Sequence, residues 1–124
     1  MGKRFSVLVR RYSPTMESLG SATVLLDGSE QTICEQGGGI PTQVSGYVDL
    51  SNLVAGDIVE LKMFIKLKVG GNWVTYHQES YAGPITPPII FIAKRPENHG
   101  MRITITQTAG APKSIDYEFF QEFC

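Results

Sequence analysis

The stretch that decides the fold is DIVELKMFIKLKV, residues 57–69. Apolar side chains occupy every second position from Val59, and charged side chains begin to fill the positions between them at Glu60. Successive side chains of a β-strand point to opposite faces, so this alternation predicts a strand with one buried and one solvated face. Phe64 is the apolar exception on the solvated face. The buried face is expected to comprise Val59, Leu61, Met63, Ile65, Leu67 and Val69.

A hairpin is predicted directly after this strand. Gly70, Gly71 and Asn72 tolerate the positive φ angles that a tight connection requires, and the alternation resumes in residues 73–81. In this pairing we expect lysines of the first strand to lie opposite Glu79, because opposite charges stabilise adjacent strands.

The rest of the chain is also predicted to form strands separated by turns. No window of ten or more residues carries a helical stripe, and Asp27-Gly28 between two apolar runs is a strong hairpin signal. The sequence therefore predicts one all-β domain over residues 1–124, a two-sheet antiparallel sandwich of about seven to nine strands. The nine candidate strands are Arg4–Tyr12, Ser21–Leu26, Glu30–Gln36, Gln43–Leu50, Asp57–Val69, Trp73–Tyr81, Pro88–Lys94, Met101–Thr108 and Ile115–Phe123.

The segment YVDLSNLVAGD, residues 47–57, resembles the strand, loop and strand crossover between sheets in immunoglobulin-like and fibronectin-type domains. This resemblance implies that Leu53 fills one end of the core and that Gly56-Asp57 turns the chain into the next strand. An immunoglobulin-like sandwich and a jelly roll are both compatible with the strand spacing.

Composition and charge exclude several classes of function. The 124 residues carry 11 basic and 12 acidic side chains, a formal charge of -1, which does not favour nucleic acid as the main partner. Basic residues concentrate near the start and acidic residues near the end, an asymmetry that would matter between subunits. No apolar segment is long enough to span a bilayer, and residues 1–12 lack the apolar block of a secretory signal. We expect a protein made in the cytoplasm, with incorporation into a virion as one possible destination.

The residues that usually carry chemistry are few and badly spaced. His77 and His99 are the only histidines, and Cys34 and Cys124 the only cysteines, without the spacing of a metal site or of a catalytic pair. Gly37–Gly39 lacks the lysine and the following helix of a phosphate-binding loop. We therefore expect no enzyme, no metal and no cofactor. An unfamiliar enzyme using His77 or Glu79 would need a pocket with shifted pKa values, and a Cys34 to Cys124 disulfide stays open.

Apolar residues outside the expected core favour a role in assembly. Phe64 lies on a charged strand face, residues 89–92 are apolar on both faces, and Phe120 is expected to point away from the core with Asp116 and Glu118. The sequence thus predicts a non-enzymatic structural protein that self-assembles as a homo-oligomer or joins a larger protein assembly. A small virion component is one such role, as a capsid decoration, minor capsid or tail protein. The interface candidates are Phe64, Ile90, Ile92 and Phe120.

The alternative prediction is a β-sandwich module that binds a carbohydrate or another surface ligand. Sugars stack on flat exposed rings, and the chain has aromatic residues in and near its predicted hairpin. Trp73 could instead cap one end of the core. The platform candidates are Trp73, Tyr76 and Tyr81, with Tyr47 as a further exposed ring.

Overall fold

The computed structural model describes residues 16–123, and within them the chain forms eight strands. The predicted strand Arg4–Tyr12 lies outside the described residues. The other eight predicted strands are confirmed, with shifts at their ends. They are β1 Met16–Leu26, β2 Gln31–Gln36, β3 Thr42–Asp49, β4 Ile58–Ile65, β5 Val74–Ala82, β6 Ile89–Glu97, β7 Met101–Ala109 and β8 Lys113–Phe123.

The strands form two antiparallel four-stranded sheets that pack face to face, which confirms the two-sheet sandwich. One sheet has the order β1-β8-β3-β6 and the other the order β2-β7-β4-β5. Consecutive strands along β1 to β4 alternate between the sheets, and the last strand returns to lie beside the first. This is the strand order of a jelly roll and not that of an immunoglobulin domain.

The core forms from alternate residues of each strand, as the opening stretch predicts. In β4, Val59, Leu61 and Met63 are buried, whereas Glu60 and Lys62 point outward. The prediction that the strand continues to Val69 is wrong. β4 ends at Ile65. The Lys66 N–H still donates to the Gly100 carbonyl next to β7, and beyond it the chain leaves the sheet, so Leu67 and Val69 are 83% and 85% exposed. The core residues are Leu26, Ile33, Cys34, Val44, Val48, Leu50, Leu53, Val59, Leu61, Met63, Ile92, Met101, Ile103, Ile105, Ile115 and Phe119.

One of the two predicted hairpins exists. β4 pairs with β5 as expected, but Glu79 lies opposite Leu61, while Lys62 lies opposite Gln78, so the predicted lysine pairing is wrong. The hairpin at Asp27-Gly28 is also wrong. β1 pairs with β8 and β2 with β7, so this turn carries the chain from one sheet to the other. A turn motif fixes the local bend but does not decide which strands pair.

The crossover from β3 to β4 is held by a buried carboxylate. Leu53 is 2% exposed and fills the core as expected. Asp57 is also 2% exposed. Its carboxylate accepts a hydrogen bond from the Val54 N–H at 2.9 Å and forms an ion pair with the Lys113 ammonium at 3.2 Å. A Cβ at Gly110 would collide with the Asp57 carboxylate, so the turn before β8 requires glycine there. Asp57 thereby ties the crossover to the start of β8.

Within residues 16–123 there is no helix with the length and hydrophobicity needed to cross a bilayer. Cys34 is a free thiol buried in the core. Its burial and the nearby charges of Glu97 and Glu35 raise the pKa of this thiol to about 12. Cys34 is therefore a packing residue and not a nucleophile in the folded protein.

Candidate interaction surface

The outward face of the β1-β8-β3-β6 sheet carries a cluster of apolar side chains. Antiparallel pairing places Tyr47 of β3 opposite Phe91 of β6, and Ser45 of β3 opposite Phe120 of β8. The Tyr47 ring lies 5.1 Å from the ring of Phe91 and makes an edge contact with Phe120 at 6.4 Å. Ile89 lies on the same face, two residues before Phe91. We call Tyr47, Ile89, Phe91 and Phe120 the aromatic patch.

The aromatic patch is open to solvent. Tyr47 is 48% exposed, Ile89 52% and Phe91 56%. With about 200 Å² for an aromatic side chain, these three residues expose roughly 300 Å² of mostly apolar surface. That is the lower end of the range for the largest patch on a typical monomer, and such patches are often functional. Because three adjacent strands hold the rings, the surface is rigid before any partner arrives.

Carboxylates border the aromatic patch on one side. Asp49 of β3 lies directly opposite Asp116 of β8, and Glu118 lies opposite Tyr47. The hydroxyl of Thr23 donates to Asp116 at 2.5 Å, and that of Ser18 donates to Glu118 at 2.7 Å. We call Asp49, Asp116 and Glu118 the acidic strip. Among the side chains that the structure describes, no lysine, arginine or histidine forms an ion pair with it.

The acidic strip and the aromatic patch share one shallow depression. Its volume is about 210 Å³, and Tyr47, Ile89, Asp49, Asp116 and Glu118 are among the residues that line it. Apolar rings and carboxylates at one place suit a partner that brings both apolar and cationic groups. The depression is open and lacks the enclosure of a catalytic pocket.

The structure distributes the four predicted interface residues over different places. Phe120 lies in the aromatic patch, with Asp116 and Glu118 on its face as the alternation predicts. Phe64 points outward from the other sheet, opposite Arg102. Ile92 is 3% exposed and belongs to the core, and Ile90 packs against the core. These two isoleucines are therefore corrected to core residues.

The source of that correction is the register of β6. Residues 89–92 are apolar at every position, so the sequence does not reveal which alternate pair points inward. The pairing of Ile90 with Val48, which is fully buried, sends Ile90 and Ile92 inward and leaves Ile89 and Phe91 outside. Phe91 was not singled out by the sequence. For Tyr47, the alternation with Val48 and Asp49 is a local signal that its ring points outward.

The aromatic residues near the hairpin do not form a shared platform. The Trp73 ring lies under two cations, with the Lys66 ammonium 4.6 Å and the Arg102 guanidinium 4.4 Å from ring centroids. The hydroxyl of Tyr76 contacts the Met63 sulfur at 3.7 Å, and Tyr81 is half-buried against the core. In the described part of the chain these three rings make no ring contact with one another.

The histidine and carboxylate named as the enzyme alternative do lie together. His77 is 3.3 Å from Glu79, which also accepts a hydrogen bond from the Tyr81 hydroxyl at 3.0 Å. These residues alternate along β5, so the strand geometry alone brings them close. Burial and the hydrogen bond to Glu79 raise the pKa of Tyr81 to about 12, so its hydroxyl stays protonated at neutral pH. No group of three or more metal-binding side chains occurs in residues 16–123.

Comparisons with known proteins add no relative. No protein family matches the chain, no curated protein is significantly similar to it, and no solved structure matches it significantly. The surface has to be interpreted from its own residues.

Proposed function

We propose that this protein is a non-enzymatic structural subunit that associates with copies of itself through the aromatic patch. The observation that carries the proposal is the contact of Tyr47 with Phe91 and Phe120 on a solvent-exposed sheet face. Aromatic residues are enriched in the buried centres of protein interfaces, where they contribute most of the binding energy.

The setting that we propose is a virion, in which the subunit decorates or completes a capsid or tail. Jelly rolls are common in viral capsid proteins, and they also occur in lectins. This is an analogy at the level of the fold, so it supports the setting without identifying it. The local support is the rigid sheet face, which presents the patch without an ordering cost on association.

Carbohydrate binding is the competing hypothesis, since the same fold class includes lectins. Its predicted platform is weakened by the two cations over the Trp73 ring, which occupy the surface that a sugar would stack on. In the aromatic patch, the ring planes of Tyr47 and Phe91 are inclined to each other by 43°. These exposed rings therefore do not form a flat stacking surface either.

The test is the solution mass of the purified protein by light scattering over a range of concentrations, with negative-stain imaging of the same samples. Burying the 56% of Phe91 that is exposed removes about 110 Å² from water, worth at most about 3 kcal/mol. Phe91→Ser is therefore expected to weaken association by up to about 100-fold for each Phe91 that the contact buries. Leu67→Ser is the matched control, because Leu67 is 83% exposed and lies outside both sheets.

Association of the wild type that Phe91→Ser weakens and Leu67→Ser leaves unchanged would support the proposal. A monomer of 13.6 kDa at every concentration would overturn it. In that event the decisive experiment becomes binding to a glycan array, with Trp73→Ala as the control for the competing hypothesis.

A further inference from the structure

Charge is divided unequally between the first fifteen residues and the rest of the chain. Residues 1–15 contain Lys3, Arg4, Arg10 and Arg11 and no acidic residue, a formal charge of about +4. The remaining residues contain seven basic and all twelve acidic side chains, a formal charge of about -5. We call residues 1–15 the basic arm. Two sandwiches that approach each other through the acidic strip therefore repel unless a cationic group comes between them.

The acidic strip lacks such a group in the described residues. Asp49 and Asp116 are directly opposed on neighbouring strands, an arrangement that destabilises a sheet when both are charged. The contacts of Asp116 and Glu118 come from the hydroxyls of Thr23 and Ser18, which carry no charge. A cation placed over the strip would remove this repulsion. Asp116 is exposed and Asp49 and Glu118 are half-buried, so a cationic side chain can reach them from solvent.

The basic arm has the side chains that this surface fits. Arginine pairs with carboxylates through two parallel hydrogen bonds and stacks on aromatic rings, so Arg10 and Arg11 match both the strip and the patch. Phe5, Val7, Leu8 and Val9 give the same segment apolar side chains that match the apolar side of the depression. Fifteen residues can span at most roughly 50 Å, which is enough to reach a neighbouring subunit.

We propose that the basic arm of one copy binds the acidic strip and aromatic patch of a second copy. This inference rests on the proposed self-association and names the segment that occupies the surface. The arm enters β1 at Met16, which pairs with Glu122 at the margin of the same sheet.

The test exchanges charge between the two partners in full-length protein. Arg10→Glu with Arg11→Glu reverses the arm, and Asp116→Lys with Glu118→Lys reverses the strip. Each pair alone is expected to weaken association at low salt by about tenfold or more. An equimolar mixture of the two double variants is expected to associate again, because the reversed arm of one meets the reversed strip of the other. Lys68→Glu and Glu79→Lys, both exposed and outside this face, are the charge-reversal controls.

The outcomes separate this inference from the proposed function. If the wild type associates and the arm variant associates equally well, the inference is overturned while self-association stands. If the mixture stays dissociated but a single chain carrying all four substitutions recovers, the arm binds its own subunit, and the inference is overturned. If the arm variant loses binding to a fluorescent single-stranded oligonucleotide without a change in association, the arm serves nucleic acid instead. A wild type that stays monomeric overturns the proposed function itself.

Discussion

Gly46 is the residue whose replacement should test the packing beneath the aromatic patch. It lies in β3 between Ser45 and Tyr47, opposite the buried Phe119 of β8. A Cβ at Gly46 would lie 2.8 Å from the Phe119 Cε1 atom, closer still to Cδ1, and 2.6 Å from the Glu118 carbonyl oxygen. Carbon atoms pack at about 3.5 Å or more, so β3 and β8 must separate by nearly 1 Å to admit a methyl group.

Gly46→Ala should therefore destabilise the fold by about 3 kcal/mol, the upper end for an overpacked core, because a backbone oxygen cannot rotate away as a side chain can. Urea unfolding followed by the fluorescence of Trp73, the single tryptophan, measures this change. Gly38→Ala is the matched control, since its Cβ would meet nothing within 4 Å, and it should change stability by less than about 0.5 kcal/mol. Equal stability of the two variants would refute the close approach of Phe119 to β3.

Three further predictions concern buried polar groups. The Val54 N–H and the Lys113 ammonium hold the pKa of Asp57 below its ordinary value despite its burial. The charged Asp57 therefore stabilises the fold above about pH 4, and this stabilisation is lost as the pH falls through the lower pKa of the folded state. Asp57→Asn should reduce the fall in melting temperature at acid pH, measured by thermal unfolding across a pH series. Cys34 should be alkylated by iodoacetamide at pH 8 about 1,000-fold more slowly in the folded protein than in urea, as judged by mass spectrometry of its peptide, and equal rates would contradict its burial. Thr42→Val removes the hydroxyl that donates to the buried Glu97 carboxylate at 2.5 Å. Urea unfolding should show a free energy of unfolding lower by about 1–3 kcal/mol. An unchanged free energy of unfolding would mean that this contact does not stabilise the fold.

The sequence predicts most strands well because they carry their own period of two, whereas β6 is recognised by its continuous apolar run in residues 89–92. β4 shows this alternation from Val59 to Met63, and the Gly70-Gly71-Asn72 turn correctly pairs it with β5. It does not predict which sheet each strand joins, because that depends on contacts between residues far apart in the chain. The Asp27-Gly28 turn looks like a hairpin turn locally, yet β1 and β2 find their partners in β8 and β7. The jelly-roll order is a property of those distant pairings.

The aromatic patch shows the same limit at the level of a site. Phe120 could be recognised from sequence because acidic neighbours at alternate positions mark its face as the outer one. Phe91 could not, since Ile90 and Ile92 on either side are as apolar as Phe91 itself. Only the pairing of Tyr47 with Phe91 across two strands brings the rings together. Sites assembled across strands are therefore invisible to a pattern read along one strand.

The two outward faces of the sandwich differ in how their charges are satisfied, and this difference favours one of them as the interface. On the β2-β7-β4-β5 sheet, Arg102 pairs with Glu35 at 3.1 Å, and Glu60 lies 3.9 Å from Lys62 and accepts a hydrogen bond from Gln78. These paired charges are stable in water, and a partner that covered them would have to remove their water at a cost in free energy.

On the opposite sheet the acidic strip has hydroxyl donors but no ion pair in the described residues. The symmetry of the contact then decides the size of the assembly. Two aromatic patches that meet face to face form an isologous contact, which closes at a dimer. Two copies that exchange their basic arms also close at a dimer. A basic arm that binds the next copy without such an exchange forms a heterologous contact, which produces a ring or a filament. A dimeric mass that survives reversal of Arg10 and Arg11 would thus assign the interface to the patch alone, whereas a larger assembly that falls to monomers would assign it to the arm.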